Sequence, residues 1–112
     1  MPIAAFFAPG EYVADFSGSV VATVAAAGTR VQITSTSTPC TGVVVTAQEN
    51  NGGFIVVGGV DVVAAAGTSR RGFAVLAAGA SVVIPCRDMS LLYIDATSVA
   101  TAANVLAAPI KG

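Results

Sequence analysis

The chain has 112 residues and a mass of 11.0 kDa, which suits one domain and is too short for two ordinary ones. Apolar residues make up 54% of the sequence and charged residues only 10%, against about 25% charged in a typical soluble domain. With 5 basic residues, 6 acidic residues and no histidine, the composition argues against nucleic-acid binding, imidazole-based catalysis and a histidine metal site. We therefore expect a non-enzymatic protein with no cofactor, no metal, no nucleic acid and no small-molecule substrate.

The mean hydropathy of +0.81 invites a membrane interpretation. The sequence nevertheless has no run of about 20 predominantly apolar residues, which a spanning helix needs, and its first residues lack the basic region of a secretory signal. We therefore expect a soluble protein made in the cytoplasm, with no membrane contact. High hydrophobicity of this kind predicts that apolar surface is buried against other chains.

The first 18 residues differ in composition from the rest of the chain. They contain most of the aromatic side chains, namely Phe6, Phe7, Tyr12 and Phe16. Prolines and a glycine in this segment disfavour regular structure, so we predict an extended N-terminal arm over 1–18 and a single β domain over 19–112. Two interpretations of the arm stay open: it packs on its own domain, or its rings anchor in a neighbouring subunit.

From Ser19 onward, short runs rich in Val, Ile and Thr alternate with Gly, Ser, Thr and Asn, which is typical of many short strands. The predicted fold class is all-β, either a small antiparallel β-sandwich or a jelly-roll-like barrel. We predict strands over 20–25, 30–34, 42–47, 53–58, 60–64, 72–76, 81–84 and 91–95. The last segment is open between a strand over 99–107 and a short helix over 98–108.

Glycine and alanine mark the predicted turns. Asn51-Gly52 predicts a tight hairpin between the third and fourth strands, because Asn-Gly readily adopts the positive φ angles of such turns. The alanine triplets at 25–27 and 64–66 each follow β-branched residues and precede Gly-Thr, so we predict strand ends that run into turns rather than helices. Their similarity to each other is attributed to composition.

Two predicted strands are apolar on both faces, because neighbouring side chains point to opposite sides of a strand. They contain the runs 43–45 and 54–57. One face can fill the core, and the other must lie under a loop or against another subunit. We therefore predict a symmetric oligomer with Phe54 and Val56 among its interface residues.

The remaining candidate residues are two cysteines and a few charged side chains. Cys40 and Cys86 are either free thiols, which we favour for a reducing compartment, or a disulfide that closes a loop of about 45 residues and contributes ~4 kcal/mol. Asp88 is predicted to cap a turn and Asp95 to make a strand-end hydrogen bond, in preference to forming a catalytic pair. The Arg70–Arg71 doublet is either a solvated loop tip or an interface contact with an acidic neighbour.

A set of turn-and-strand phrases spans about half the chain. In order they are Pro39, Cys40, Val43, Val45 and Ala47; Asn51 and Gly52; Ile55, Val57 and Gly58; Leu76, Ala77, Ala78, Gly79, Ser81 and Val82; and Asp88, Ser90, Tyr93, Asp95 and Ala96. This order resembles that of small β-structured virion proteins of tailed bacteriophages, including capsid decoration or cement proteins.

The resemblance implies a homotrimer on the capsid surface of a virion, with the major capsid protein as partner. Such a protein would clamp neighbouring coat subunits through its terminal arm or the Arg70–Arg71 turn. Many weak copies would reinforce the head through multivalency. The alternative from a different functional class is a tail, spike or fibre module that binds a host-surface glycan or protein.

Overall fold

The computed structural model describes residues 18–111, which form eight strands and one short 3-10 helix, Met89–Leu91. The strands are β1 (Val20–Thr23), β2 (Val31–Gln32), β3 (Gly42–Ala47), β4 (Ile55–Gly58), β5 (Ala74–Leu76), β6 (Ser81–Ile84), β7 (Tyr93–Ala96) and β8 (Asn104–Ile110).

The strands form two four-stranded antiparallel sheets. The first sheet has the order β1-β8-β3-β6, and the second has the order β2-β7-β4-β5. Among consecutive strands, only β4 and β5 belong to the same sheet. All the remaining connections between consecutive strands cross from one sheet to the other. This interleaved order of eight strands is that of a jelly roll. The predicted all-β sandwich is confirmed.

The core lies between the two sheets and is built by alternation along the central strands. In β3, Val43 and Val45 point inward and are fully buried, whereas Val44 and Thr46 point outward and are half-buried. Large side chains of the second sheet and its flanking loops meet them, namely Ile55, Val57, Leu76, Leu92 and Ile94. Each such side chain contributes about 1.5–3 kcal/mol when it is fully buried.

The predicted hairpin at Asn51-Gly52 is wrong, because β3 and β4 belong to different sheets. The side chain of Asn51 instead pairs with the backbone of Asn104: its Nδ2 donates to Asn104 O at 2.9 Å, and its Oδ1 accepts from Asn104 N at 2.8 Å. Gly52 has no positive φ, but a Cβ there would lie 2.9 Å from Thr101 Oγ1. A larger residue at this position would therefore require the Thr101 side chain to move.

The strand predicted over 60–64 is also wrong. This segment is part of a loop that makes one isolated antiparallel bridge, between Val63 and Arg71. Val62 and Ala64 of the loop are buried and pack with Val56 on the outer side of β4. The expectation that Val56 meets another subunit is corrected accordingly, because this side chain is 1% exposed and is covered by its own chain.

The other local expectations have mixed outcomes. Segment 98–108 contains no helix, and its strand begins only at Asn104. Both alanine triplets lie in turns and not in helices, with positive φ angles of 86° at Gly28 and 92° at Gly67, but neither is a strand end, because β1 ends at Thr23 and residues 60–64 form no strand. The predicted arm lies outside the described residues apart from Gly18, and so do its four aromatic residues, Phe6, Phe7, Tyr12 and Phe16.

Candidate functional site

The face of the first sheet that points away from the core is exposed and apolar. We call it the outer face, and it is formed mainly by Val21, Val44, Thr46, Ser81, Val83 and Leu106. The strand register places these side chains side by side, because Val21 lies opposite Leu106, Leu106 opposite Thr46, and Val44 opposite Val83. Val21 is 61% exposed and Val83 58% exposed.

The outer face has no charge, because the four strands of this sheet contain no Asp, Glu, Lys or Arg. Its few polar side chains pair with each other. Thr46 Oγ1 lies 2.7 Å from Ser81 Oγ, and Thr23 Oγ1 donates to Asn104 Oδ1 at 2.8 Å. A sheet face that meets water usually alternates with polar residues on its outer side, so this face has the composition of a contact surface.

An open apolar groove continues the outer face around one side of the sandwich, where the edge strands β5 and β6 come together. We call it the edge groove. It has a volume of about 310 Å³ and is lined by Phe73, Val82, Val83, Ile84 and Pro85. Phe73 is 67% exposed, and neither edge strand carries a charge. Edge strands without charges present unpaired backbone groups to which another chain can bind.

The outer side of the second sheet is different, because loops of the same chain cover it around Asp95. This carboxylate is 1% exposed and accepts three backbone hydrogen bonds. Its Oδ1 accepts from Gly28 N at 3.0 Å and from Ala96 N at 2.8 Å, and its Oδ2 accepts from Ala64 N at 3.0 Å. Asp95 thus holds both alanine-rich turns against the sheet, a role that the sequence did not predict.

The arginine doublet divides into two different environments. Arg70 is half-buried, and its Nε and Nη2 both donate to Ala64 O, at 3.1 and 2.9 Å. The Arg71 side chain is exposed, while its backbone pairs with that of Val63. The Arg70 guanidinium therefore fastens its own loop, and the Arg71 side chain faces solvent.

Phe54 precedes β4 and its side chain is about half exposed. Its backbone is fixed by Thr97, since Phe54 N donates to Thr97 Oγ1 at 2.9 Å and Phe54 O accepts from Thr97 N at 3.0 Å. Phe54 thus presents its ring to solvent from a fixed backbone, and it belongs to neither the outer face nor the edge groove.

The two cysteines lie together at one end of the first sheet. Their Sγ atoms are 3.9 Å apart, and Cys40 Sγ also donates to Cys86 O at 3.4 Å. Both side chains are half-buried free thiols. Burial, together with the nearby Cys40, raises the pKa of the Cys86 thiol to about 11.

Asp88 caps the 3-10 helix, as predicted. Its carboxylate accepts from Ser37 Oγ at 2.6 Å, from Thr38 N at 2.8 Å, and from Ser90 N and Oγ at 2.9 and 2.8 Å. These hydrogen bonds, that of Ser37 first, hold the pKa of Asp88 well below its usual range. Asp88 and Asp95 share no hydrogen-bond partner, and each carboxylate is fixed by its own surroundings.

Within residues 18–111, no group of three or more Cys, Asp or Glu side chains is placed to hold a metal ion. No helix in this part of the chain is long and apolar enough to cross a membrane. Comparisons with protein-family models, with curated proteins and with solved structures find no match for this chain.

Proposed function

We propose that this protein is a non-enzymatic structural component of a bacteriophage virion, a capsid cement or decoration protein. In this proposal it associates as a homotrimer and clamps neighbouring subunits of the major capsid protein on the head surface. The observation that carries the proposal is the uncharged outer face together with the edge groove, which residues 18–111 leave exposed.

The two surfaces suit self-association for a physical reason. Val83 belongs to both the outer face and the edge groove, so the apolar surface is continuous around β6. Burying such a surface against a second copy removes apolar area from water at no cost in buried charge. A symmetric oligomer would use the same patch on every copy or join the patch of one copy to the edge of the next.

Two further points support the virion setting. The phrases from Cys40 to Ala96 resemble those of small phage virion proteins. Eight-stranded jelly rolls also recur in viral capsid domains, although this is an analogy of fold and fold alone does not define function.

The first test is the mass of the purified protein in dilute solution, measured by sedimentation or light scattering. We expect a trimer. We also expect Val83→Glu to weaken association by about 100-fold or more, because it places carboxylates in an apolar contact. The matched control is Val60→Glu, since Val60 is 66% exposed but lies in the loop over the second sheet. A stable wild-type monomer would overturn the trimer.

The second test uses phage heads assembled without the protein. We expect the purified protein to bind these heads and to restore resistance to heat or to low salt. Val83→Glu should restore less than Val60→Glu does. Binding to host cells or to their surface glycans, with no affinity for heads, would instead establish the tail, spike or fibre alternative.

A further inference from the structure

The pair Cys40 and Cys86 is positioned by backbone contacts on either side of it. Cys40 lies two residues before β3, and Cys86 lies two residues after β6. The registered residue pair of these two strands that lies nearest the cysteines is Val43 opposite Ile84. Beyond it, Cys40 N donates to Arg87 O at 3.0 Å, and Pro39 and Asp88 form an isolated antiparallel bridge.

We propose that Cys40 and Cys86 form an intramolecular disulfide when the protein meets a small-molecule disulfide such as oxidised glutathione, and that this bond fastens β6 to β3. The Sγ atoms are 3.9 Å apart, and a disulfide needs about 2.0 Å, so side-chain rotation with a small backbone adjustment can close the gap. The proposal concerns the fold of the single chain and does not depend on the proposed virion function.

The pair is also reachable from solvent. Both side chains are half-buried, and an open depression of about 250 Å³ is lined by Pro39, Cys40, Thr41 and Lys111. Cys40 lines this depression and Cys86 does not, so an oxidant that enters it meets Cys40 first, and Cys40 is the first nucleophile. The raised pKa of the Cys86 thiol agrees with this order, because the thiolate is the attacking species.

The chemistry is a thiol–disulfide exchange in two steps. The Cys40 thiolate attacks one sulfur of oxidised glutathione, forms a mixed disulfide and releases one glutathione thiolate. Cys86 then loses its proton to solvent or to that thiolate, attacks Cys40 Sγ, and releases the second glutathione. In sum, two protein thiols are oxidised to one disulfide, and one oxidised glutathione is reduced to two glutathione molecules.

The bond would act on an edge strand. Within residues 18–111, β6 pairs with β3 alone, and it carries Val83 of the outer face. A cross-link beyond its last registered pair opposes fraying from that end and closes a long loop in the unfolded chain. The oxidised protein should therefore be more stable and should hold β6 more firmly than the reduced protein.

The test uses the full chain, reduced and then incubated with oxidised glutathione under native conditions. Intact mass spectrometry with thiol alkylation should show a single chain that has lost two hydrogens, and a peptide map should join Cys40 to Cys86. The oxidised protein should melt at a higher temperature than the same protein after reduction. Because the wild type is compared with itself, the test does not require that any variant folds.

Two single variants test the order of attack. Cys86→Ser should capture glutathione at Cys40 several-fold faster than Cys40→Ser captures it at Cys86, and neither variant should show a redox-dependent melting temperature. Two thiols that stay open to alkylation, a stable glutathione adduct in the wild type, or a bond formed only between chains would each overturn the proposal. Faster capture at Cys86 would overturn the assignment of Cys40 as the first nucleophile.

Discussion

At Asp95, a buried carboxylate replaces the apolar side chain that its place in the second sheet would suggest. Burying a charge is costly unless hydrogen bonds compensate for the water that is lost, and here three backbone N–H groups do so. Two of these donors, Gly28 and Ala64, belong to separate loops, so one side chain fixes both of them.

We expect Asp95→Asn to lower the free energy of unfolding by about 2–4 kcal/mol, because an amide has one acceptor oxygen and turns its NH₂ group toward one of the N–H donors. Urea or thermal unfolding measures the loss. Asp61→Asn is the control, since Asp61 is exposed in the same loop region and should change stability little. Equal unfolding midpoints for the two variants would contradict the anchoring role of Asp95.

Asp88 should make stability depend on pH in the acid range. Its pKa in the folded protein lies below the ordinary value of 3.8, because Ser37, Thr38 and Ser90 hydrogen-bond to the carboxylate. A depressed pKa contributes stability at pH values above the ordinary pKa, and this stability is lost as the pH falls through the folded pKa. Asp88→Asn should therefore be less stable than wild type at neutral pH, and the difference should shrink on acidification. An unfolding series over that pH range measures it, and a constant difference would contradict the prediction.

These two aspartates also show what residue-level reasoning can predict. The cap at Asp88 is local, because Ser90 is two residues away, and the sequence predicted it. Two of the three donors to Asp95 lie 67 and 31 residues away in the chain. A strand-end hydrogen bond was predictable from residue type, but joining the two alanine-rich turns was not, because no local pattern specifies contacts at that separation.

At the scale of elements, the loop between β4 and β5 closes where two glycines meet. A Cβ at Gly72 would lie 2.5 Å from Val56 Cγ1 and 2.9 Å from Val57 O, and a Cβ at Gly58 would lie 2.8 Å from Gly72 Cα. The loop can therefore cover Val56 only while these positions lack side chains.

Gly72→Ala should destabilise the protein by about 1–3 kcal/mol, because the methyl group forces apart β4 and the loop. Gly59→Ala is a matched control in the same loop, since its Cβ would meet only Asp61 Oδ1, at 3.8 Å. Thermal unfolding of the two variants measures the difference. A melting temperature for Gly72→Ala that equals that of Gly59→Ala would show that the loop can move away at no cost.

Element prediction succeeded where turn residues bound a Val-rich run, and failed where the fold depends on which sheet the chain enters. The predicted bounds of β3 and β6 match the structure, because their Val-rich runs are bounded by clear turn residues. The Asn51-Gly52 turn was predicted as a hairpin because turn residues do not specify whether the chain returns to the same sheet or crosses to the other one. Segment 60–64 has strand-like residues, but it uses them to cover β4.

At the scale of the whole molecule, composition predicted an excess of apolar surface but not its position. The apolar runs of β3 and β4 differ in what lies on their outer sides. The outer side of β4 is covered by its own loop, whereas the outer side of β3 forms part of an uncharged face that stays exposed. The jelly-roll order decides this, because it places β3 beside β6 and β8, whose outer side chains are also uncharged.

This distribution predicts how the proposed self-association responds to salt. If the outer face and the edge groove form the contact, the dissociation constant should change less than about threefold between dilute buffer and about 1 M NaCl, where the Debye length is only about 3 Å. Ammonium sulfate should strengthen association, because such salts favour the burial of apolar surface. Sedimentation equilibrium at several salt concentrations measures both effects.

The control is Arg71→Ala, which should leave the dissociation constant unchanged because Arg71 lies on the loop over the second sheet. Marked weakening by NaCl, together with weaker association of Arg71→Ala, would place the contact at the arginine doublet instead of the outer face.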